Sequence, residues 1–250
     1  PQLAPQEERV CEIEEHYNLN LALDMMIEKN HRDLRDAVVR NKVIFGPQGR
    51  IIILTGPNLG GKTTYLQAVG LTHILAQAGL YVPGTKAHFS PVDNIYTHFP
   101  IEEQFDKGTG RLGDEAKRFH KIFAQATRHS LMLLNESLSS TSPNESLYLA
   151  QDIVRILRLM GVRAIFVTHL HELAARVNEL NAETLGDSKI ISMVASLIEE
   201  ESIDAPDLPL KRSYKVVPSP PMGCSYAKEL AHKYGVSFEQ LRTLLNDRGI

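Results

Sequence analysis

The chain has 250 residues, 43% of them hydrophobic and 23% charged, with a formal net charge of −3 at pH 7. These values are typical of a soluble globular protein with room for one large domain and a short extra segment. The near-neutral charge excludes the strongly basic footprint of an autonomous DNA-binding module, and two distant cysteines, Cys11 and Cys224, exclude a disulfide framework or a clustered zinc site.

The first segment, residues 1–40, is predicted to be the end of a helical lever or connector. Its opening residues lack the basic and apolar regions of a signal peptide and read like a cut through a longer protein. Residues 7–30 are rich in Glu, Leu and Met and are predicted to be helical. The helical spacing is carried by Leu19, Leu23, Met26 and Ile27.

The middle segment, residues 41–185, alternates short apolar runs with helical stretches. The apolar runs are predicted to be buried parallel strands and lie at residues 51–54, 131–134 and 164–167. The helical stretches lie at residues 63–78, 114–129 and 145–160. This alternation predicts an α/β fold with a mainly parallel sheet flanked by helices on both faces.

The last segment, residues 186–250, changes character. Residues 190–199 and 212–217 are predicted to pair as an antiparallel hairpin, joined by a flexible acidic connection at 200–209. Two short helices follow, around residues 225–234 and 237–246, and Ser237 is the predicted N-cap of the second. No apolar run approaches the roughly 20 residues of a membrane span, so we expect a cytoplasmic protein without a membrane partner.

A glycine-rich motif directly follows the first predicted strand and directly precedes a helix. It fits G-x-x-x-x-G-K-[ST] and consists of Gly56, Pro57, Asn58, Leu59, Gly60, Gly61, Lys62, Thr63 and Thr64. Glycines let successive N–H groups point at phosphate oxygens, and the helix start adds its positive dipole end. Lys62 is predicted to reach the β- and γ-phosphates and Thr63 to ligate Mg²⁺, so ATP and Mg²⁺ are the expected cofactors.

The second predicted strand ends in Asn135 and Glu136. In P-loop enzymes an Asp at such a strand end holds Mg²⁺ through its waters, and in the ABC class the following Glu polarises the attacking water. Glu136 stands where that base is expected. Asn135 still offers an amide oxygen to a metal-bound water but brings no negative charge, which predicts weaker Mg²⁺ support and slow turnover.

The third strand leads into His169 and His171. A histidine at the position of His169 can donate a hydrogen bond to the γ-phosphate and report its presence. His171 lies two residues further on and is interpreted as a solvated loop histidine. The adenine contact is expected from residues 39–45, where Phe45 is the one aromatic side chain and is equally compatible with stacking on the base and with the core.

Several of these motifs resemble the MutS family of DNA mismatch-repair proteins. The resemblance is carried by the motif T-G-P-N-x-G-G-K-[ST]-T and by the stretches at residues 79–83 and 168–173. It covers about residues 43–173. It implies a P-loop NTPase of the ABC-ATPase type in which residues 58–64 bind ATP, Glu136 activates water and His169 senses the γ-phosphate.

The resemblance also implies a dimer whose nucleotide sites are completed by the partner subunit. Residues 139–142 with Glu145 would form a loop that crosses to the partner, and residues 108–115 occupy the place of the family's signature loop. The usual Ser-Thr-Phe of that loop is missing, and Arg111 is either a trans contact to phosphate or a surface arginine. Asn135 and this altered loop suggest a divergent branch of MutS-like proteins.

Three functions remain open from the sequence. The first is an ATPase motor in which two copies sandwich two ATP molecules and drive attached DNA-binding domains, with DNA contacted mostly outside this chain. The second is an ATP-gated clamp with very slow hydrolysis, which Asn135 favours. The third is an ABC-type ATPase for transport or chromosome maintenance, against which the absence of an L-S-G-G-Q signature argues.

Overall fold

The computed structural model describes residues 1–28, 38–100, 110–138, 141–198, 211–221, 231–232 and 234–248. The strands are β1 (Gln2–Leu3), β2 (Cys11–His16), β3 (Asn41–Phe45), β4 (Ile51–Thr55), β5 (Lys86–Phe89), β6 (Ile95–His98), β7 (Leu131–Asn135), β8 (Arg163–Val167), β9 (Ile190–Ile198) and β10 (Lys211–Pro218). The α-helices are α1 (Leu19–Glu28), α2 (Lys62–Gln77), α3 (Gly110–Gln125), α4 (Pro143–Met160), α5 (His171–Ala175), α6 (Val177–Glu183) and α7 (Phe238–Asp247).

The central sheet has six strands in the order β10-β9-β4-β8-β7-β6. Every neighbouring pair from β9 to β6 is parallel, and β10 alone runs antiparallel to its neighbour. The three predicted strands and the predicted mainly parallel sheet are therefore confirmed. β4, which leads into the glycine-rich motif, lies between β8 and β9, so the motif emerges from the interior of the sheet.

Alternate residues of the central strands feed two separate cores. Ile52 and Leu54 of β4 pack with α2 and the smaller sheet, whereas Ile51 and Ile53 pack with α3, α4, α5 and α6. Helix α2 approaches the sheet closely at Gly70, where a Cβ atom would stand only 2.7 Å from a methyl group of Leu133. Both faces of the sheet are thus covered, as strands that are apolar on both sides require.

A second sheet of four strands, in the order β1-β5-β2-β3, was not predicted. The prediction of a helix over residues 7–30 is wrong in its first half, because Cys11–His16 is a strand and the helix begins at Leu19, with Leu19–Glu28 as its described part. Cys11 and Ile13 face the core while Glu12 is exposed, which is the two-residue alternation of a half-buried strand. β2 pairs with β3 and β5 on the far side of residue 40, and the division at that residue stays a prediction.

The carboxy-terminal part agrees with the predicted elements where it is described. β9 and β10 form the antiparallel hairpin, and Ser237 caps α7 in a capping box with Gln240. The predicted connection at residues 200–209 and most of the predicted helix at residues 225–234 lie outside the described residues. Within the described part of the chain, no helix has both the length and the apolar character that crossing a bilayer requires.

Candidate functional site

The glycine-rich motif forms a tight loop between β4 and α2. Gly56 and Gly61 adopt positive φ angles of 136° and 89°, which favour glycine. At Gly60 a Cβ atom would stand 2.9 Å from the Pro57 carbonyl oxygen, so a larger residue could not follow the same path. Helix α2 begins at Lys62 with its first N–H groups directed at the loop. The sequence context that defines a phosphate-binding loop is therefore present in three dimensions.

Lys62 is buried beneath the loop that precedes it. Its Nζ donates hydrogen bonds to the carbonyl oxygens of Gly56 and Pro57, both at 2.9 Å. Burial lowers the pKa of Lys62, and the nearby charge of Glu136 acts in the opposite direction. The ammonium group thus lies within the curl of the loop, where it is held by two backbone acceptors.

Thr63 and Asn135 meet across the site. The Thr63 hydroxyl donates a hydrogen bond to Oδ1 of Asn135 at 3.2 Å, which joins the start of α2 to the end of β7. Asn135 is buried, and its oxygen is directed at the hydroxyl group. The two residues predicted as Mg²⁺ ligands are therefore brought together, with neutral oxygen atoms facing the same point.

Glu136 and His169 also meet, at the ends of β7 and β8. Nε2 of His169 lies 2.9 Å from Oε1 of Glu136, with 44% and 35% of the two side chains exposed. Glu136 adopts a positive φ of 47°, and its N–H donates to the Val167 carbonyl at 2.9 Å. The ends of the two neighbouring strands thus bring these polar side chains together.

His171 does not match the interpretation as a solvated loop residue. It is the first residue of α5 and is half-buried, and its Nδ1 is buried without a hydrogen-bond partner. Burial lowers its pKa, with smaller contributions from the charges of His169 and Lys62.

Lys62, Thr63 and Glu136 line a cleft of about 810 Å³ that continues from the glycine-rich loop into an apolar region. The apolar region is lined by Tyr17, Leu21, Met25, Val38, Val39, Ala68 and Tyr214. Of the segment expected to contact adenine, Val39 and Asn41 reach the cleft. Phe45 belongs to the core instead, because it is 2% exposed and packs between the two sheets.

Tyr214 is the aromatic residue that sequence reasoning missed. It lies in a β-bulge of β10 with a φ of 55°, and its ring carbon comes within 3.4 Å of a Cβ position at Gly61. Asn41 fixes the bulge, since it donates to the Tyr214 carbonyl at 3.1 Å and accepts from the Val216 N–H at 2.7 Å. Because Tyr214 lies more than 150 residues from the loop, no local pattern could have pointed to it.

The segments predicted to reach a partner subunit are described only in part. Residues 108–109 and 139–140 lie outside the described residues. Arg111 belongs to the first turn of α3, with Nε 3.7 Å from Oε1 of Glu115, so it is not a loop arginine. Glu145 accepts hydrogen bonds from the hydroxyl groups of Thr141 and Ser142 at the start of α4.

A glycine-rich loop that leaves the interior strand of a parallel sheet, with polar groups at the ends of neighbouring strands, defines the P-loop class of α/β proteins. Residues 52–203 match the family described as MutS domain V. That match covers more than half of the chain, and the chain belongs to the MutS family.

Relatives of known name agree with this membership. Endonuclease MutS2 of Thermus thermophilus is 35% identical over 145 residues, which are 58% of this chain and 19% of the relative. DNA mismatch repair protein MutS of Chlorobium phaeobacteroides is 33% identical over 164 residues, 65% of this chain and 19% of the relative. The same-named protein of Rhodopirellula baltica is 37% identical over 139 residues, 55% and 16% of the two chains. The matched part thus spans about a fifth of each relative.

Proposed function

We propose that this chain is the ATP-binding and ATP-hydrolysing domain of a MutS-like DNA repair protein. In this proposal it acts as a dimeric, nucleotide-driven switch for attached DNA-binding domains. The observation that carries the proposal is that Lys62, Thr63 and Glu136 line one cleft, with Asn135 bonded to Thr63 and His169 bonded to Glu136. Ligand sites of parallel sheets lie at this edge, beyond the carboxyl ends of the strands.

The phosphates of ATP would be bound by the loop from Gly56 to Thr64. Its backbone N–H groups and the start of α2 offer donors and a positive dipole end to anionic oxygens. Lys62 lies inside the loop, and its two backbone acceptors are weak competitors for an ammonium group that a phosphate can bind directly. The same loop predicts little discrimination between nucleotides, because it contacts phosphates alone.

The oxygen atoms of Thr63 and Asn135 fit Mg²⁺, which prefers such ligands and keeps several waters. When bound, the ion would neutralise charge that develops on the phosphate oxygens. Among the described residues no group of three or more His, Cys, Asp and Glu side chains could hold a metal by itself. The substrate's phosphates and water would therefore supply most of the coordination.

Hydrolysis would use Glu136 and His169 together. The Glu136 carboxylate would accept a proton from water while the water oxygen attacks the γ-phosphorus and ADP departs with the electron pair of the broken P–O bond. His169 lies with Nε2 2.9 Å from Oε1 of Glu136 and would contact the γ-phosphate from the end of the neighbouring strand β8. The base would enter the apolar part of the cleft, where the half-exposed Tyr214 ring offers a stacking face.

The dimeric arrangement is supported by α7. Phe238, Leu241 and Leu245 follow each other at helical spacing, and all three are exposed in this chain. Such a stripe suits a helix that packs against another surface, and a second copy is the partner we propose. The DNA repair role follows from the family and from the relatives named as mismatch repair proteins and an endonuclease.

A second candidate function is an ATP-gated clamp that binds ATP and dimerises but hydrolyses it very slowly. Asn135 favours this alternative, since its amide brings no negative charge to the Mg²⁺ side of the site. Both functions share the loop and the dimer, and they differ in turnover alone.

The deciding experiment measures Mg²⁺-dependent ATP turnover against protein concentration, beside ATP affinity. Turnover per chain that rises with concentration would support the dimeric enzyme. Tight binding without turnover at any concentration would favour the clamp. Glu136→Gln is the matched variant, because it keeps the size of the side chain and removes the base, so binding should persist and turnover should stop. Unchanged turnover would remove Glu136 from the mechanism.

A further inference from the structure

The two residues after Glu136 are held by side chains from three different elements. Ser137 and Leu138 are both buried, although they directly follow the partly exposed Glu136. The hydrogen bonds that reach them come from β6, α3 and α4. None of the side chains that make these contacts lines the cleft, so the contacts have a role other than binding a ligand there.

The backbone of this segment is strained. Glu136 and Leu138 have positive φ angles of 47° and 65°, although neither is glycine. Left-handed backbone costs a residue with a side chain about 1–2 kcal/mol. Such conformations persist only where the surroundings over-determine them. The direction of the Glu136 side chain therefore depends on whatever holds residues 136–138.

Glu115 of α3 makes the most specific of these contacts. Its Oε2 accepts the Leu138 N–H at 2.8 Å, and the carboxylate is buried. The Leu138 carbonyl is fixed as well, because it accepts the Ser146 hydroxyl from α4 at 2.6 Å. Both backbone polar groups of Leu138 are thus paired with side chains. Loss of either side chain would leave a buried backbone group without a partner.

His98 provides the second support. Its Nδ1 lies 2.8 Å from the Ser137 hydroxyl, and its ring stacks on Phe119 of α3 with the ring centres 4.2 Å apart. His98 is the last residue of β6 and is buried. Helix α3 therefore reaches the strained segment twice, directly through Glu115 and through the stacked Phe119–His98 pair.

We propose that Glu115 is a positioning residue that fixes the backbone after Glu136, with the His98–Ser137 pair as its second support. The inference rests on the proposed function, in which Glu136 is the base for hydrolysis. It adds that the start of α3, through Glu115, fixes the position of the Glu136 side chain. Helix α3 begins at Gly110, within the segment predicted to contact the partner's nucleotide, so movement of that segment would reach Glu136 through Glu115.

The test compares Glu115→Ala with Glu115→Gln in the same chain. The alanine variant removes the acceptor of the Leu138 N–H, and we expect kcat to fall about tenfold while KM and the affinity for a fluorescent ATP analogue stay within about twofold. The glutamine variant keeps an acceptor oxygen and should recover most of kcat. Ser137→Ala should lower kcat about threefold, and it decides the question if Glu115→Ala does not fold.

Val154→Ala is the matched control, since Val154 is fully buried on α4, below the same face of the sheet, and has no polar contact with the segment. It should lower the melting temperature and leave kcat per folded molecule unchanged. If Glu115→Ala behaves in the same way, the residue is merely structural and the proposal is wrong.

A wild-type chain that binds ATP without turnover would refute the proposed hydrolysis and not the positioning role. Hydrogen exchange at the Leu138 amide then decides the matter. Faster exchange confined to residues 136–138 in Glu115→Ala would support the positioning role. Exchange that rises equally across the sheet, or does not rise, would overturn it.

Discussion

The two ends of the central sheet both collect charged side chains, but they use them differently. At the amino ends of β4 and β8, Arg50 and Arg163 are buried, and Arg9 joins them from the segment before β2. At the carboxyl ends, Lys62 and Glu136 face a cleft. The contrast separates charges that hold the fold together from charges that are available to a ligand.

Arg163 shows how the amino end accommodates its charge. Its guanidinium donates to the carbonyl oxygens of Val10, Ser90, Pro91 and His129 at 2.7–3.3 Å. Burial lowers its pKa to about 10, so the group stays charged at neutral pH. The planar guanidinium can bind four carbonyl groups from three separate segments at once, which a lysine could not do.

The carboxyl end leaves its polar groups more exposed. Glu136 and His169 contact each other and are partly exposed, and Glu136 has a strained backbone. Buried polar groups that are fully paired stabilise a fold, whereas partly paired groups beside a cleft are candidates for binding and catalysis. The comparison therefore predicts that substitutions at the two ends damage different properties.

The largest effect is expected at Arg163. Arg163→Met keeps the length of the apolar stem and removes the guanidinium donors from four buried or part-buried carbonyl groups, so we expect the free energy of unfolding to fall by about 3–5 kcal/mol. ATP affinity of the folded fraction should stay unchanged. Urea unfolding and a binding titration below the transition measure the two properties.

Arg176→Met is the control for this prediction. Arg176 is an exposed arginine at the end of α5, and its loss should change the free energy of unfolding by less than about 0.5 kcal/mol. A similar small loss at Arg163 would show that the amino-end arginines do not hold the fold together, and the contrast between the two ends would fail.

Lys62→Ala should reverse the pattern. We expect ATP affinity to fall at least about 100-fold, or about 2.7 kcal/mol, because the phosphates lose a buried cation. The free energy of unfolding should change little, since Lys62 bonds only two carbonyl groups of its own loop. Lys189→Ala is the matched control, because Lys189 lies just before β9, at the amino end of the sheet. Retained micromolar affinity in Lys62→Ala would refute the assignment of the phosphate loop.

Local sequence patterns predicted those parts of the molecule whose structure depends on residues close together in the sequence. The apolar strand, the glycines and the following helix lie within about 30 residues, and the loop formed as expected between Ile51–Thr55 and Lys62–Gln77. The hairpin and the cap at Ser237 are also local, and both are confirmed. The convergence of Thr63 with Asn135 followed from the general rule that parallel strands end at one edge.

The features that sequence missed depend on distant contacts. β2 is rich in Glu and short, and it becomes a strand because β3 and β5 pair with it from either side. Tyr214 reaches the cleft because a bulge in β10 is fixed by Asn41. The partners of Arg163 are backbone carbonyls, which no motif of side chains can reveal.

Asn135→Asp tests whether the missing negative charge at the carboxyl end limits turnover. A carboxylate beside Thr63 adds the missing negative charge to the Mg²⁺ side, and we expect Mg²⁺-dependent kcat to rise about tenfold, or about 1.4 kcal/mol. The free energy of unfolding without Mg²⁺ should fall slightly, because the side chain is buried and gains a charge. Unchanged kcat over a Mg²⁺ titration would mean that the amide suffices.

The smallest effect is expected at Asp187, the acidic partner of Arg9 and Arg128 at the amino end. The hydrogen bond from Arg9 lowers the pKa of Asp187 to about 2, so its contribution is complete above its ordinary pKa and is lost as the pH falls through 2. Half of this side chain is exposed, and solvent screening reduces the expected loss in Asp187→Asn to about 1 kcal/mol at pH 7. Urea unfolding at pH 7 and pH 3 should show the difference between wild type and variant shrinking by roughly half. A difference that does not depend on pH would show that the charge of Asp187 does not contribute, and the amino end would then owe its stability to its backbone acceptors.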